Sequence, residues 1–204
     1  MQLRAVRKSS LSPTDEELID QQHRLRTRVF AERLGWLVDV QDGREADEYD
    51  VFDPTYILAV TDAGCVVGCA RLLPANGPTM MDVLFPDLAA SGLYKPNPFM
   101  VESSRFCVDT ALDEGRAGGS LHDATLTMFA AIIEWSMENG YTELVTATDV
   151  RIERILRRAG WPLSRLGSPA QINETRSVAG LLPADWVSFD RLRPSTYSSS
   201  FSLH

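Results

Sequence analysis

Apolar positions in the first part of the chain recur at two periods. Leu18, Ile19, Leu25, Val29, Phe30 and Leu34 repeat at helical spacing, which predicts an amphipathic helix. Ser12 can cap it, with Pro13 at the first helical position and Asp15 and Glu16 in the first turn. Gly35 can supply the left-handed residue that ends it. A short opening strand is weakly signalled over residues 3–7. Residues 36–54 are polar and acidic and read as a long loop, a length that in compact domains usually accompanies function or mobility.

The period then changes. TYILAVT and CVVGCARLL, separated by Asp62-Ala63-Gly64, predict a β-hairpin. Pro74, Pro78, Pro86, Pro96 and Pro98 mark an irregular connection, with one helical turn near Val83 to Ala90. FMVESSRFCVD reads as a strand whose middle is charged. A long helix capped by Ser120 runs to Asn139 and ends at Gly140. TELVTATD is a strand, Asp149 caps a helix ending at Gly160, INETRSVAGLL is a further strand and 184–193 a short helix. The serine-rich segment 194–204 is expected to be a flexible tail. This order of elements predicts a single α/β domain over residues 1–193, a mixed central sheet covered by helices.

Composition narrows the partners. The 204-residue chain is 44% hydrophobic, enough for one substantial core. A net charge of −8 argues against nucleic acid or an anionic membrane, because both require a basic footprint. Three cysteines form no paired framework, no apolar signal segment opens the chain, and no run approaches the roughly 18 apolar residues of a membrane span. A cytoplasmic protein is expected.

Arg26 to Asp50 is the most informative stretch. It sets Arg26, Phe30 and Trp36 ahead of Asp47 and Asp50. A snorkelling arginine, two packed aromatics and a solvated acidic loop would account for each residue separately. An aromatic-walled pocket for a zwitterionic or cationic small molecule would account for them together. In VESSRF, a regular strand would point Glu102 and Arg105 to opposite sides, whereas a bulge near Ser103 or Ser104 would bring them to one rim. The alternative is a structural pair on an edge strand. Arg71 interrupts an apolar run, either as a strand-end residue or as an anchor for a ligand carboxylate.

Arg151, Arg154, Arg157 and Arg158, followed by Arg165, concentrate positive charge around one acid, Glu153. That is either an ordinary solvated helix face or a docking patch for an acidic partner. Weaker features are Cys65 with Cys69, half of a metal site that nothing completes. His23 reads as lying on the exposed side of the first helix. The glycine-rich Arg116 to Ser120 could bind a phosphate or pantetheine group at a helix start. No metal is expected.

As a spaced set, these residues resemble the acyl-homoserine-lactone synthase (LuxI-type autoinducer synthase) family. The likeness comprises Arg26, Phe30 and Trp36 in RTRVFAERLGW, Asp47 and Asp50 in EADEYD, and Arg71 in GCARLLP. It continues through Phe85 in DVLFPDL, Glu102 and Arg105 in ESSRF, and LVTATDV…RRAGW…RLG, from residue 20 to residue 185.

The resemblance implies a fold similar to GNAT-type N-acyltransferases, with a sheet splayed to admit a pantetheine arm. It implies that S-adenosylmethionine, a substrate and not a tightly bound cofactor, offers its amine to an acyl thioester. Its carboxylate then displaces methylthioadenosine and closes a lactone used in quorum sensing. Phe30, Trp36, Asp47, Asp50 and Phe85 would surround that substrate, and Arg26, Arg71 or Arg105 would take its carboxylate. Glu102 would act as base, with Arg105, Arg71 and Asp47 beside it in the catalytic set. Thr148 would select the acyl chain, and Arg151, Arg154, Arg157 and Arg158 would dock acyl carrier protein or attract acyl-CoA. The acidic loop would order around its ligand. Two other classes fit parts of the pattern: a different GNAT acyltransferase using acyl-CoA, and a non-catalytic ligand sensor.

Overall fold

The computed structural model of the protein describes residues 1–10, 12–81, 92, 94–109, 123–172, 175–198 and 201. The expected helical turn at 83–90, Phe85, the glycine-rich stretch 116–120 and the Ser120 cap lie outside them. In chain order the elements are β1 (Gln2–Arg7), α1 (Pro13–Arg26), β2 (Val40–Gln41), β3 (Arg44–Glu45), β4 (Thr55–Val60), β5 (Val66–Pro74) and β6 (Met100–Val108). There follow α2 (Asp123–Glu138), β7 (Glu143–Asp149), α3 (Val150–Ala159), β8 (Ser164–Arg165), β9 (Ala170–Ile172), β10 (Thr175–Pro183) and α4 (Trp186–Leu192).

Ser12 caps α1 in a capping box with Asp15, as the sequence predicts. The helix does not stop at Arg26. It continues through Thr27–Arg33 as a π-helix, whose exit is marked by Leu34 N–H donating to Val29 O at 3.0 Å. Such wide turns are rare and gather at functional sites. Gly35 follows with φ 66°, the expected left-handed residue. The predicted loop over 36–54 contains the β2–β3 hairpin and a 3-10 turn at Glu48–Val51.

The main sheet has the order β1-β4-β5-β6-β7-β10-β8, with β9 added to β10. Every residue of β4 is buried. The sheet is covered on both faces: Tyr56, Leu58 and Val60 pack with Leu18, Leu25 and Phe30, while Ile57 and Ala59 pack with Met128 and Phe129 of α2. Two-sided burial is why these strands read as continuous apolar runs. At the far end, Trp161 is buried and donates its indole N–H to Pro183 O at 2.9 Å. Tyr197, in the segment expected to fray, donates its hydroxyl to Glu134 at 2.8 Å and packs against the core.

Two irregularities shape the centre. Among the described residues all pairings are antiparallel except β6–β7, which is parallel and limited to Met100–Glu143, Val101–Leu144 and Glu102–Val145. Beyond Glu102 the two strands part. Along β5–β6, Cys69 faces Cys107 and Arg71 faces Ser104, so two steps on β5 match three on β6. The extra residue is a β-bulge, and Arg105 within it has φ 53°. It lies one or two positions beyond the site expected from sequence.

Candidate active site

Where β6 and β7 diverge, a cavity of about 590 Å³ enters the sheet. The π-helix and the residues after it supply Phe30, Trp36 and Val38 to one wall. The second wall comes from β6, with Glu102, Ser103 and Arg105, and the third from β7 and α3, with Thr146, Thr148, Ile152 and Ile155. One side is therefore aromatic and charged, the other apolar with hydroxyls. Arg151 stands at the α3 end.

Glu102 is 2% exposed, at the point where the strands part. Its Oε2 accepts from the Met81 amide at 2.7 Å, and its Oε1 has no hydrogen-bond partner among the described residues. Burial pushes its carboxyl above the ordinary glutamate range, although the Met81 amide and Arg71 pull in the other direction. A fixed carboxyl with one free oxygen and a raised pKa is suited to taking a proton near neutral pH.

Behind that wall lies a network of three arginines and three carboxylates. Arg26 donates Nη1 and Nη2 to both oxygens of Asp50 at 2.9 Å, and Nε to Glu45. Arg71 donates to Asp50 at 2.9 Å, to Asp47, and through Nε to Ser104 at 3.1 Å. Arg105 donates Nε to Glu45 at 3.0 Å, and its Nη2 lies 2.7 Å from Asp47. Tyr56 completes Asp50 with a hydroxyl bond of 2.7 Å. Burial works against the Asp50 charge, but Arg26, Arg71 and Tyr56 overcome it and hold its carboxyl well below the usual range. The same carboxylates keep Arg26 and Arg71 firmly charged despite burial.

The expected site residues thus divide by position. Phe30, Trp36, Glu102, Arg105, Thr148 and Arg151 meet at one cavity. The side chains of Arg26 and Arg71 are both 0% exposed and, with Asp47 and Asp50, form the network behind it. Arg26 is fully buried, and its Nε, Nη1 and Nη2 donate to Glu45 and Asp50. The acidic segment is tied to Arg26, Arg71 and Arg105 through Glu45, Asp47 and Asp50. Arg154, Arg157 and Arg158 are exposed on α3, but Glu153 is buried beneath them and takes Arg165 through two bonds of 2.6 and 2.7 Å. Arg165 therefore adds less free charge to the patch than the sequence implied.

Three residues escaped the sequence reading. Glu45 is fully buried and bridges Arg26 and Arg105. Tyr56 completes Asp50, and Met80 lies against Arg71. Only the match between the acidic run DGREADEYD and three separated arginines hinted at the first. His23, expected on the exposed face, is partly buried and its Nδ1 lies 2.7 Å from Glu45 O. Cys65 is exposed, whereas Cys69 is buried opposite Cys107, so the two do not form half a metal site. Among the described residues no helix is long and apolar enough to cross a membrane.

The forked mixed sheet is shared with FeeM, an N-acyl amino acid synthase from uncultured soil microbes (TM-score 0.61, 15% identity, 95% of this chain and 100% of that one), a likeness of fold alone. Fold and relatives together define a GNAT-like acyltransferase. Within that class the chain belongs to the autoinducer synthase family, whose model matches residues 10–192. An acyl-homoserine-lactone synthase of Rhizobium radiobacter is 59% identical over 181 residues, covering 89% of this chain and 85% of that protein. Among solved structures, the acyl-homoserine-lactone synthase LasI superposes with a TM-score of 0.80 at 32% identity, over 94% and 93% of the two chains. BjaI, a CoA-dependent acyl-homoserine lactone synthase solved with S-adenosylmethionine and isopentyl-CoA, superposes at 0.78 with 29% identity, over 90% and 86%.

Proposed function

We propose that this protein makes acyl-homoserine lactones in the cytoplasm, from S-adenosylmethionine and an acyl thioester. The observation that carries the reading is Glu102, with one oxygen held by a backbone amide and the other without a partner among the described residues at the fork of the sheet. The amine of S-adenosylmethionine loses a proton to Glu102, directly or through a water, and attacks the thioester carbonyl. Collapse of the tetrahedral intermediate expels the thiol and leaves an amide. The methionine carboxylate then attacks the γ-carbon, breaks its bond to sulfur, and releases methylthioadenosine with closure of the lactone.

Phe30 and Trp36 face the sulfonium and adenosine end, where aromatic rings attract positive charge. Arg105, held by Glu45 and Asp47, stands beside Glu102 on the same wall. The acyl chain runs along Ile152 and Ile155, with Thr148 against it. Arg151 and the exposed arginines of α3 favour an acidic donor, and acyl carrier protein fits that charge better than acyl-CoA does. Incubation with S-adenosylmethionine and a panel of acyl-carrier-protein and acyl-CoA donors should yield methylthioadenosine and a lactone, both detected by mass. Absence of product from every donor would overturn the reading.

A further inference from the structure

Arg71 and Arg105 each direct one N–H at an unusual acceptor. Arg71 Nη2 lies 2.9 Å, and Arg105 Nη1 3.5 Å, from the sulfur of Met80. Among the described residues their other hydrogen bonds and ion pairs end on oxygen: Asp47, Asp50 and Ser104 for Arg71, Glu45 and Asp47 for Arg105. A thioether is among the weakest acceptors a side chain can offer. A guanidinium, by contrast, is shaped for the paired oxygens of a carboxylate. Two charged donors therefore converge on a soft atom at the end of an unbranched, adaptable side chain that lines the cavity.

The neighbouring residue gives this convergence its chemical sense. The Met81 amide holds Glu102 Oε2, and Glu102 Oε1 remains without a partner among the described residues. Cationic donors gathered at Met80, with a carboxylate held by the residue that follows it, complement the anion and the amine of an α-amino acid.

We propose that Met80 is a positioning and specificity-determining residue for the amino-acid end of the substrate. Its sulfur holds the place at Arg71 and Arg105 that a substrate carboxylate takes, and the side chain swings aside as the carboxylate arrives. The idea rests on the substrate reading above. Exchange of a weak acceptor for a charged one favours only ligands that carry the carboxylate. When the carboxylate leaves the arginines to attack the γ-carbon, the sulfur returns and keeps two buried donors from being stranded.

The test is calorimetric binding of S-adenosylmethionine and of its decarboxylated analogue to the wild type, Met80→Leu and Met80→Gln. Leucine keeps the bulk and removes the acceptor, whereas glutamine supplies a stronger one. Preference for S-adenosylmethionine over the analogue should rise about fivefold in Met80→Leu and fall about fivefold in Met80→Gln. A role in packing alone would weaken both ligands together and leave the preference unchanged. An unchanged preference, or a shift in the same direction in both variants, overturns the proposal. If the wild type binds no S-adenosylmethionine, the substrate reading itself falls, an outcome distinct from a failure of Met80.

Discussion

Phe30 and Trp36 stack with ring centroids 5.1 Å apart and planes 10° from parallel. The Arg105 guanidinium lies 5.8 Å from the Phe30 centroid, so the aromatic pair is joined to the charged wall. Rings this close are already in contact and admit no third ring between them. Trp36→Ala removes one partner and should raise KM for S-adenosylmethionine about tenfold, while Trp36→Phe keeps most of the stack. An unchanged KM in Trp36→Ala would set the aromatic wall outside the substrate site.

Glu102 gives a pH signature. A base must be ionised to accept a proton, and burial raises this carboxyl. Activity should therefore fall as pH drops, with a midpoint above the ordinary glutamate value of about 4.3. Glu102→Gln should lower kcat by about 10²–10⁴-fold and remove that limb. Stability should move the other way. A carboxyl whose folded pKa exceeds its unfolded value destabilises the folded state once the pH passes through both, so Glu102→Gln should melt higher at neutral pH. A lower melting temperature would contradict the assigned burial effect.

The arginine–carboxylate network predicts instability when it is broken. Glu45→Ala leaves Arg26 and Arg105 each short of an acceptor and should cost about 3–5 kcal/mol in urea unfolding. Asp50 acts with the opposite sign to Glu102. Its depressed carboxyl contributes stability above its unfolded pKa of about 3.9, lost as pH falls toward its folded value. Asp50→Asn should be less stable at neutral pH and show a shallower loss of stability in acid. Equal acid sensitivity in both proteins would contradict the network.

Thr148 is, with Thr146, a polar member of the wall proposed to hold the acyl chain. Thr148→Val keeps the volume and removes the hydroxyl, so the ratio of 3-oxo to unsubstituted lactones should fall. A single pocket contact of this kind shifts selection by about 1–3 kcal/mol. Mass spectrometry of the lactones from an expressing culture reads the ratio directly.

On α3, Arg154→Glu should raise KM for acyl carrier protein and weaken its dependence on salt, with little change for S-adenosylmethionine. Exposed charges act over roughly 8–10 Å at physiological ionic strength, which confines the effect to the donor. Equal loss with both substrates would point to damage of the fold.

Much of the architecture was legible in the residues themselves. The hairpin of β4 and β5, the Ser12 and Asp149 caps and the stop at Gly160 follow from local rules that survive in the folded protein. A bulge was one of two readings of the charged β6, beside a structural pair on an edge strand, and it falls at Arg105 instead of Ser103 or Ser104. What stayed hidden depended on distant partners. The sequence surroundings of Arg26 and Arg71 do not reveal that Glu45, Asp47 and Asp50 accept most of their hydrogen bonds. Within DGREADEYD the carboxylates look alike, and only tertiary packing makes Glu45 fully buried. The π-helix was equally hidden, since one widened turn scarcely disturbs a pattern of apolar spacing.

The three-residue pairing between β6 and β7 divides labour along the gene. The proposed amine chemistry uses Phe30, Trp36, Glu102 and Arg105, all encoded in β6 or earlier. The proposed acyl wall uses Thr148, Ile152 and Ile155, all encoded in β7 or later. Changes accumulated in the second portion would alter which signal is sent while leaving intact the apparatus that makes sending possible. A lineage could thus acquire a new dialect without reinventing speech.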